Sequence, residues 1–354
     1  AEPAALRPRP TGRALPQMPL VRKIPKEAIA AGVVVAAAAA AILYKQMKAA
    51  LESRKNWLRT MSFNSKWDRF AGADPSQLLV ITDFDATITA GDADQCHDLM
   101  GKSPLLSKAF REEFAPLLDW TTNAAIDGVE WWDKAHELML KHGMPPRSRL
   151  PGLVRDAFMP PRPGALQMLE KLAKMNVPVL IVSAGLSDVI EEFLRQHDAL
   201  TENVTVCSNR LNYGADSVPQ SVSPSQPVTS FTKAAAYRMA GAFFRHWNNR
   251  RMILVLGDSV TDIDAAHEVP YDECLSVGFL NSRPATSMTK YADTFDAVVL
   301  GNGGSLQPLT ELVELIDANG RAREIELANI RKRLRRNSLS ANNLPVFDPS
   351  KTGA

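Results

Sequence analysis

Cysteine is scarce. The 354 residues contain three, Cys96, Cys207 and Cys274, which lie far apart and match neither CxxC nor any zinc-ligand spacing. This argues against a disulfide scaffold or a structural zinc and leaves them as reduced thiols. Excess charge is also lacking: a formal net charge of +2 gives no ground for nucleic-acid binding, and no nucleic-acid partner is expected. Residues 1–27 have no acids besides Glu2 and Glu27 but are rich in Arg and Pro. That composition suits an organelle-targeting remnant, with the mitochondrion as the expected address, or equally a disordered arm. Charge disappears altogether in AIAAGVVVAAAAAAILY, residues 28–44. As a helix it reaches about 25 Å, enough with snorkelling lysines to span a bilayer core. A transmembrane helix over 28–48 is therefore expected, which would place the protein on a membrane, in a mitochondrion the inner one. Basic residues on both flanks leave its orientation open. A helix buried against partner subunits and the apolar core of a signal segment are the other readings this composition allows.

After a linker over 49–77, apolar runs alternate with amphipathic stretches from Leu78 to about Ile316, the pattern of an α/β domain with a parallel sheet and helices on both faces. The strand candidates are LLVITDFD (78–85), VPVLIVSAG (177–185), NVTVCSN (203–209), MILVLGDS (252–259), CLSVGFL (274–280) and FDAVVLGN (295–302). Between the first two lies a segment of helical periodicity without strand signal, read as a helical cap over about 88–160, inserted after the first strand. Residues 210–230 are rich in Ser, Pro and Gly and read as a long loop or a hairpin. The tail, 317–354, carries a basic helix, either simply solvated or in contact with anionic lipid or an acidic partner.

The first strand ends in two acids, Asp83 and Asp85, two residues apart and so on one side of an extended chain. A second acidic pair, Asp258 and Asp262, follows another strand in GDSVTDIDAAH. Four carboxylates at one sheet edge repel one another unless a divalent cation neutralises them, and Mg²⁺ fits hard oxygen ligands best. Ser183, Ala184 and Gly185 end a third strand with a hydroxyl and open backbone N–H groups suited to a phosphoryl oxygen. Lys233 in SFTKAAAY supplies fixed positive charge for a phosphate monoester. Each piece alone is more often a turn, a cap or a solvated lysine; their order carries the reading.

That order resembles the haloacid dehalogenase superfamily, with its Rossmannoid sheet. DFDATIT, VEWWDKAHELM, VPVLIVSAGLSDVIEEFLRQ, SFTK, LVLGDSVTDIDAAHEV and SVGFLN are similar to the type III cytosolic 5′-nucleotidases, the pyrimidine 5′-nucleotidases, across roughly 78–316. The resemblance implies Asp83 as the nucleophile and Asp85 as the acid and base. It implies Mg²⁺ held by the side chains of Asp83 and Asp258 and the carbonyl of Asp85. Ser183, Ala184, Gly185 and Lys233 would hold the phosphoryl group, with Asp262 orienting Lys233. In the cap, Glu130 and Trp131, then Trp132 and His136, become candidates for reading the base, although the same aromatics at helical spacing also suit a cap core. Two departures from the family pattern, a shorter cap and Thr261 in place of a glycine, put the substrate in question. The expected function is a membrane-anchored, Mg²⁺-dependent 5′-nucleotidase acting on a nucleoside monophosphate or another small phosphomonoester. The alternative is an accessory subunit of a large organellar membrane complex that keeps the fold.

Overall fold

Eight strands build one sheet in the computed structural model, which describes residues 56–119, 128–233, 236, 239–267, 269–281 and 287–341. They are β1 (Trp57–Arg59), β2 (Leu78–Thr82), β3 (Val179–Leu186), β4 (Val204–Tyr213), β5 (Pro219–Ser223), β6 (Met252–Gly257), β7 (Glu273–Leu280) and β8 (Ala297–Leu300), in the order β1-β8-β7-β6-β2-β3-β4-β5. The six inner strands are parallel, and β2, β3 and β6, buried on both faces, carry the near-continuous apolar runs usual for such strands. Both edges are antiparallel, so the sheet is mixed rather than wholly parallel. The cause at one edge is the Ser/Pro/Gly stretch, in which the tight turn Gly214–Val218 sends the chain back along β4 as a hairpin.

Alternation along β2 sends its side chains into two cores. Leu78 and Val80 join Leu169, Ile190 and Phe193 on one face, whereas Leu79 and Ile81 join Val182, Val255 and Phe243 on the other. The chain leaves β2 to build β3, β4 and β5 on one side and returns to build β6, β7 and β8 on the other. The carboxyl ends of β2 and β6 therefore flank the point where the winding reverses, the usual ligand crevice of an open α/β sheet. The cap comprises helices Asp98–Lys102, Lys108–Leu118, Gly128–His142 and Leu150–Asp156. Its apolar residues Leu99, Phe110, Phe114, Met139 and Leu153 are continuous with the first core.

The stretch expected as linker contributes structure. β1 pairs with β8, and helix Phe63–Ala71 packs on the domain through Phe63 and Phe70. Buried Asp296 fastens it: its carboxylate accepts from Lys66 Nζ (2.9 Å), Ser62 Oγ (3.1 Å), Ser276 N (3.0 Å) and Ser276 Oγ (3.0 Å). The tail helix begins inside the domain, as Gln307–Ala341, with Leu309, Leu312, Val313 and Ile316 buried before an exposed stretch over 321–332. Residues 1–55 lie outside the described residues, and with them the expected arm, transmembrane helix and organelle address. Among the described residues no helix is long and apolar enough to cross a membrane.

Asp296→Ala is expected to destabilise the domain by about 3 kcal/mol, because it leaves buried donors and the Lys66 ammonium without their acceptor; urea unfolding measures this. A second expectation concerns the cap, where His97 and His136 are buried and their Nε2 atoms have no partner. Burial holds both imidazoles neutral, His97 down to about 3 with His136 adding to the effect, and His136 down to about 4. An unfolded histidine takes up its proton near 6.5. Their contribution to stability is thus full above about pH 6.5 and is lost as pH falls toward 4, at about 1.4 kcal/mol per unit for each. His136→Leu should flatten the fall of urea midpoints between pH 6.5 and 4; an unchanged slope would show that the histidine is not protonated on unfolding.

Candidate active site

Three neighbouring strands, β6, β2 and β3, end at one place, since Thr82 lies level with Leu256 on one side and Ile181 on the other. Asp83 directly follows β2 and is held in register by its N–H, which donates to Leu256 O at 2.9 Å. Phe84 turns into the core and meets Phe193 edge-on, with ring centroids 5.2 Å apart. That inward aromatic between the acids turns Asp83 and Asp85 to the opposite side.

Lys233 Nζ donates to Asp83 Oδ1 and to Asp262 Oδ1, both at 2.6 Å, and all three residues are at most 5% exposed. Asp262 is fixed from below by Ser259 N, which donates to its Oδ2 at 2.9 Å. A Cβ on Gly257 would fall 2.1 Å from that same oxygen, so only glycine lets the carboxylate sit there. Carboxylate oxygens of Asp83, Asp258 and Asp262 lie within 4.8 Å of one another. Burial pushes the Asp83 carboxyl well above the ordinary carboxylate range; Lys233 opposes this, and Asp262 and Asp258 add to it. Burial works against the Lys233 charge, but Asp262 and Asp83 hold the ammonium well above the usual lysine range. The cluster thus gathers three acids around one fixed cation. An all-oxygen donor set with surplus negative charge fits a divalent metal ion.

Asp85 is held differently. Cys96, at the entrance to the cap, donates its N–H to Asp85 Oδ1 at 3.1 Å. Burial raises the Asp85 carboxyl to about 7, against the lowering effect of the Cys96 hydrogen bonds. Gly185 is required here as well, because a Cβ would lie 2.7 Å from Cys96 Sγ and 3.0 Å from Asp85 Oδ2. The Gly185 N–H donates to Ser183 Oγ at 3.0 Å, so two of the groups expected to grip phosphate engage each other. Ala184 turns its carbonyl to Trp132 Nε1 (2.8 Å) and Asn209 Nδ2 (2.9 Å). Asn209 also exchanges hydrogen bonds with the backbone of Val228, tying the Ser183–Gly185 stretch, an irregular part of β3 near its carboxyl end, to the segment that carries Lys233.

The structure thus brings together Asp83, Asp85, Asp258, Asp262, Ser183, Ala184, Gly185 and Lys233. The cap candidates separate. Glu130 is exposed and paired with Lys134. Trp131 donates to Leu117 O at 2.8 Å inside the cap, while Trp132 reaches the body. His136 joins His97, Trp131 and Trp132 in one aromatic cluster. Thr261 donates to Ser230 O at 2.9 Å, so the residue that replaces glycine braces the turn of Asp262 against the approach to Lys233. Cys96, Asn209 and Trp132 had weaker signals: Asn209 at least ends a strand candidate, whereas nothing in the spacing marks Cys96.

Known proteins agree with this geometry. The pyrimidine 5′-nucleotidase (UMPH-1) family profile matches residues 95–317. The 7-methylguanosine phosphate-specific 5′-nucleotidase of Gallus gallus is 30% identical over 63% of this chain and 83% of its own length. Its Homo sapiens counterpart is 28% identical over 71% and 88%. The crystal structure of cytosolic 5′-nucleotidase IIIB bound to cytidine superposes with a TM-score of 0.66 at 25% identity, covering 76% of this chain and 95% of that one. With acids, lysine and the Ser183–Gly185 stretch assembled at the switch point of a haloacid dehalogenase-like sheet, the chain belongs to the pyrimidine 5′-nucleotidase (UMPH-1) family and is a 5′-nucleotidase, a phosphomonoester hydrolase.

Proposed function

We propose that the protein hydrolyses nucleoside 5′-monophosphates through an aspartyl-phosphate on Asp83. The observation that carries this is the Lys233 ammonium 2.6 Å from both Asp83 and Asp262, beside Asp258, at the carboxyl ends of β2 and β6. An Asp83 oxygen attacks phosphorus, and the bond from phosphorus to the nucleoside O5′ breaks. Asp85, whose carboxyl burial brings to about 7, gives its proton to the leaving oxygen, so that the nucleoside departs as an alcohol. The resulting Asp85 carboxylate then takes a proton from the water that attacks the phosphoryl group. Asp83 is released as a carboxylate, and phosphate leaves. Lys233, Ser183 and the Ala184 N–H hold the non-bridging oxygens through transfer, with Gly185 joining when its N–H leaves Ser183.

Asp262 has one oxygen on Lys233 and the other on Ser259 N. The family resemblance assigns the metal to the Asp83 and Asp258 side chains and the Asp85 carbonyl, which would hold it, and Mg²⁺ suits those oxygens. When bound, the ion supplies positive charge that offsets the acids and the phosphoryl oxygens. The base is read by the cap around Trp132, whose helix also carries His136, packed against His97 from the neighbouring cap helix. The relatives' names point to two bases, pyrimidines and 7-methylguanine. The alternative reading as an accessory subunit rests on the apolar segment outside the described residues and on the basic tail helix.

Asp83→Asn should reduce phosphate release from the preferred nucleotide by at least about 10⁴-fold while leaving the unfolding midpoint of the metal-free protein near or above that of the native chain. Chelation should abolish turnover and Mg²⁺ should restore it. Full activity of the variant, or turnover in chelator, would reject the chemistry. In a panel of CMP, UMP, 7-methyl-GMP, AMP, GMP and glycerol phosphate, at least one of the first three should exceed AMP and glycerol phosphate by about tenfold or more in kcat/KM. Equal rates across the panel would make the enzyme a general phosphatase with a cap that reads no base.

A further inference from the structure

Arg162 lies where the chain returns from the cap, and at 1% exposure it is the largest of the fully buried side chains. A guanidinium offers five N–H donors in a plane, and here five oxygens meet them. Nε donates to Thr87 O at 2.8 Å, Nη2 to Ala86 O at 2.5 Å and to Asn281 Oδ1 at 2.9 Å, and Nη1 to Gly304 O at 2.9 Å and, more weakly, to Asn302 O at 3.5 Å. The group lies over the Phe279 ring, 4.3 Å from its centroid. Burial lowers the guanidinium only to about 10, with the fields of Asp258 and Asp92 supporting its charge, so it stays a cation at neutral pH. Its hydrogen bonds go to main-chain and amide oxygens rather than to carboxylates, an arrangement that secures backbone rather than a counter-charge.

The backbone it secures is the turn after Asp85. Ala86 has φ of +56°, in the left-handed region that a residue with a Cβ enters at a cost. Every polar backbone group of Ala86 is committed: its N–H donates to Thr89 Oγ1 at 2.9 Å, and its carbonyl accepts from Arg162 Nη2 and from Asn281 Nδ2 at 3.1 Å. The limbs by which the chain enters and leaves the cap are sewn together beside it, by Arg162 N to Ile88 O at 2.8 Å and Ala90 N to Pro160 O at 2.9 Å. The direction of the Asp85 carboxyl, beneath Cys96 and against Gly185, follows from this turn.

We propose that Arg162 is a positioning residue for proton transfer, pinning the Ala86 and Thr87 carbonyls so that the turn aims Asp85 at the leaving-group oxygen. This rests on the reading of Asp85 as the proton donor. The test uses the full chain with Mg²⁺ and two substrates, the preferred nucleoside monophosphate and p-nitrophenyl phosphate, whose nitrophenolate departs without a proton. Because kcat/KM reports steps up to the first phosphoryl transfer, it isolates donation to the leaving group from the later hydrolysis. Arg162→Lys keeps the charge but not the planar array of donors. It should lower kcat/KM for the nucleotide by about 30-fold and for p-nitrophenyl phosphate by no more than about threefold. Asn281→Ala, which removes one donor to Ala86 and one acceptor of Arg162, should give a smaller loss with the same substrate dependence, and it decides the matter if Arg162→Lys does not fold. Asp85→Asn, run beside them, separates the two ideas. If it discriminates between the substrates and the folded Arg162 and Asn281 variants lose both activities equally, or lose neither, Arg162 is not a positioning residue for this step. If Asp85→Asn itself fails to discriminate, the reading of Asp85 falls and the inference falls with it.

Discussion

The ammonium of Lys233, wedged between two buried carboxylates, is the constraint from which the site follows. Removing these charges from water is expensive, and a buried ion pair rarely repays the cost in stability. The surrounding structure is therefore shaped to satisfy the remaining oxygens. Asp262 takes its second hydrogen bond from Ser259, Gly257 leaves room for the carboxylate, and Thr261 braces the turn against Ser230. Asn209 locks the segment leading to Lys233 onto the irregular stretch near the end of β3. Only a sheet whose winding reverses between β2 and β6 can bring these pieces from such distant parts of the chain to one edge.

Asp83 and Asp85, two residues apart, belong to different mechanical frames. Asp83 is an extension of β2, bonded to β6 through Leu256 and to the body through Lys233. Asp85 lies past the inward-turned Phe84 and is held by Cys96 at the mouth of the cap and by the turn at Ala86. The group read as the nucleophile is thereby insulated from the cap, and the group read as the proton donor is coupled to it. In the proposed reaction such an arrangement makes the cap's placement bear on proton transfer more than on attack at phosphorus.

Much of this was legible in the sequence, for physical reasons. Strands buried on both faces must be apolar throughout, so β2, β3, β6 and β7 announced themselves, and carboxylates at their ends were conspicuous because a buried strand has no other use for them. The edges were not legible. Trp57–Arg59 is three residues long and gains its identity only by pairing with β8, and a Ser/Pro/Gly stretch is compatible with a loop or with the hairpin it forms. The resemblance ranks Trp131 ahead of Trp132, yet it is Trp132 that reaches the body, because neighbours on a helix point about 100° from each other and the sequence does not say which side faces the body. Nothing in the sequence singles out Arg162, since its five acceptors are oxygens contributed by residues 86, 87, 281, 302 and 304, four of them main-chain carbonyls, which leave no mark in a sequence.

The same division of labour bears on the substrate. In the proposed reaction the groups that would hold the phosphoryl lie in the body and would meet what every nucleoside monophosphate shares, so they cannot distinguish one base from another. Discrimination needs contacts made only by the correct base, and those must come from the cap. There Trp132 is constrained twice, by its helix and by its bond to the Ala184 carbonyl, so its ring is held beside the stretch that would hold the phosphate. His97 and His136 stand behind it as neutral rings with unpartnered nitrogens. A buried polar atom without a partner is a standing cost, and the cap carries two of them in the aromatic cluster packed behind Trp132.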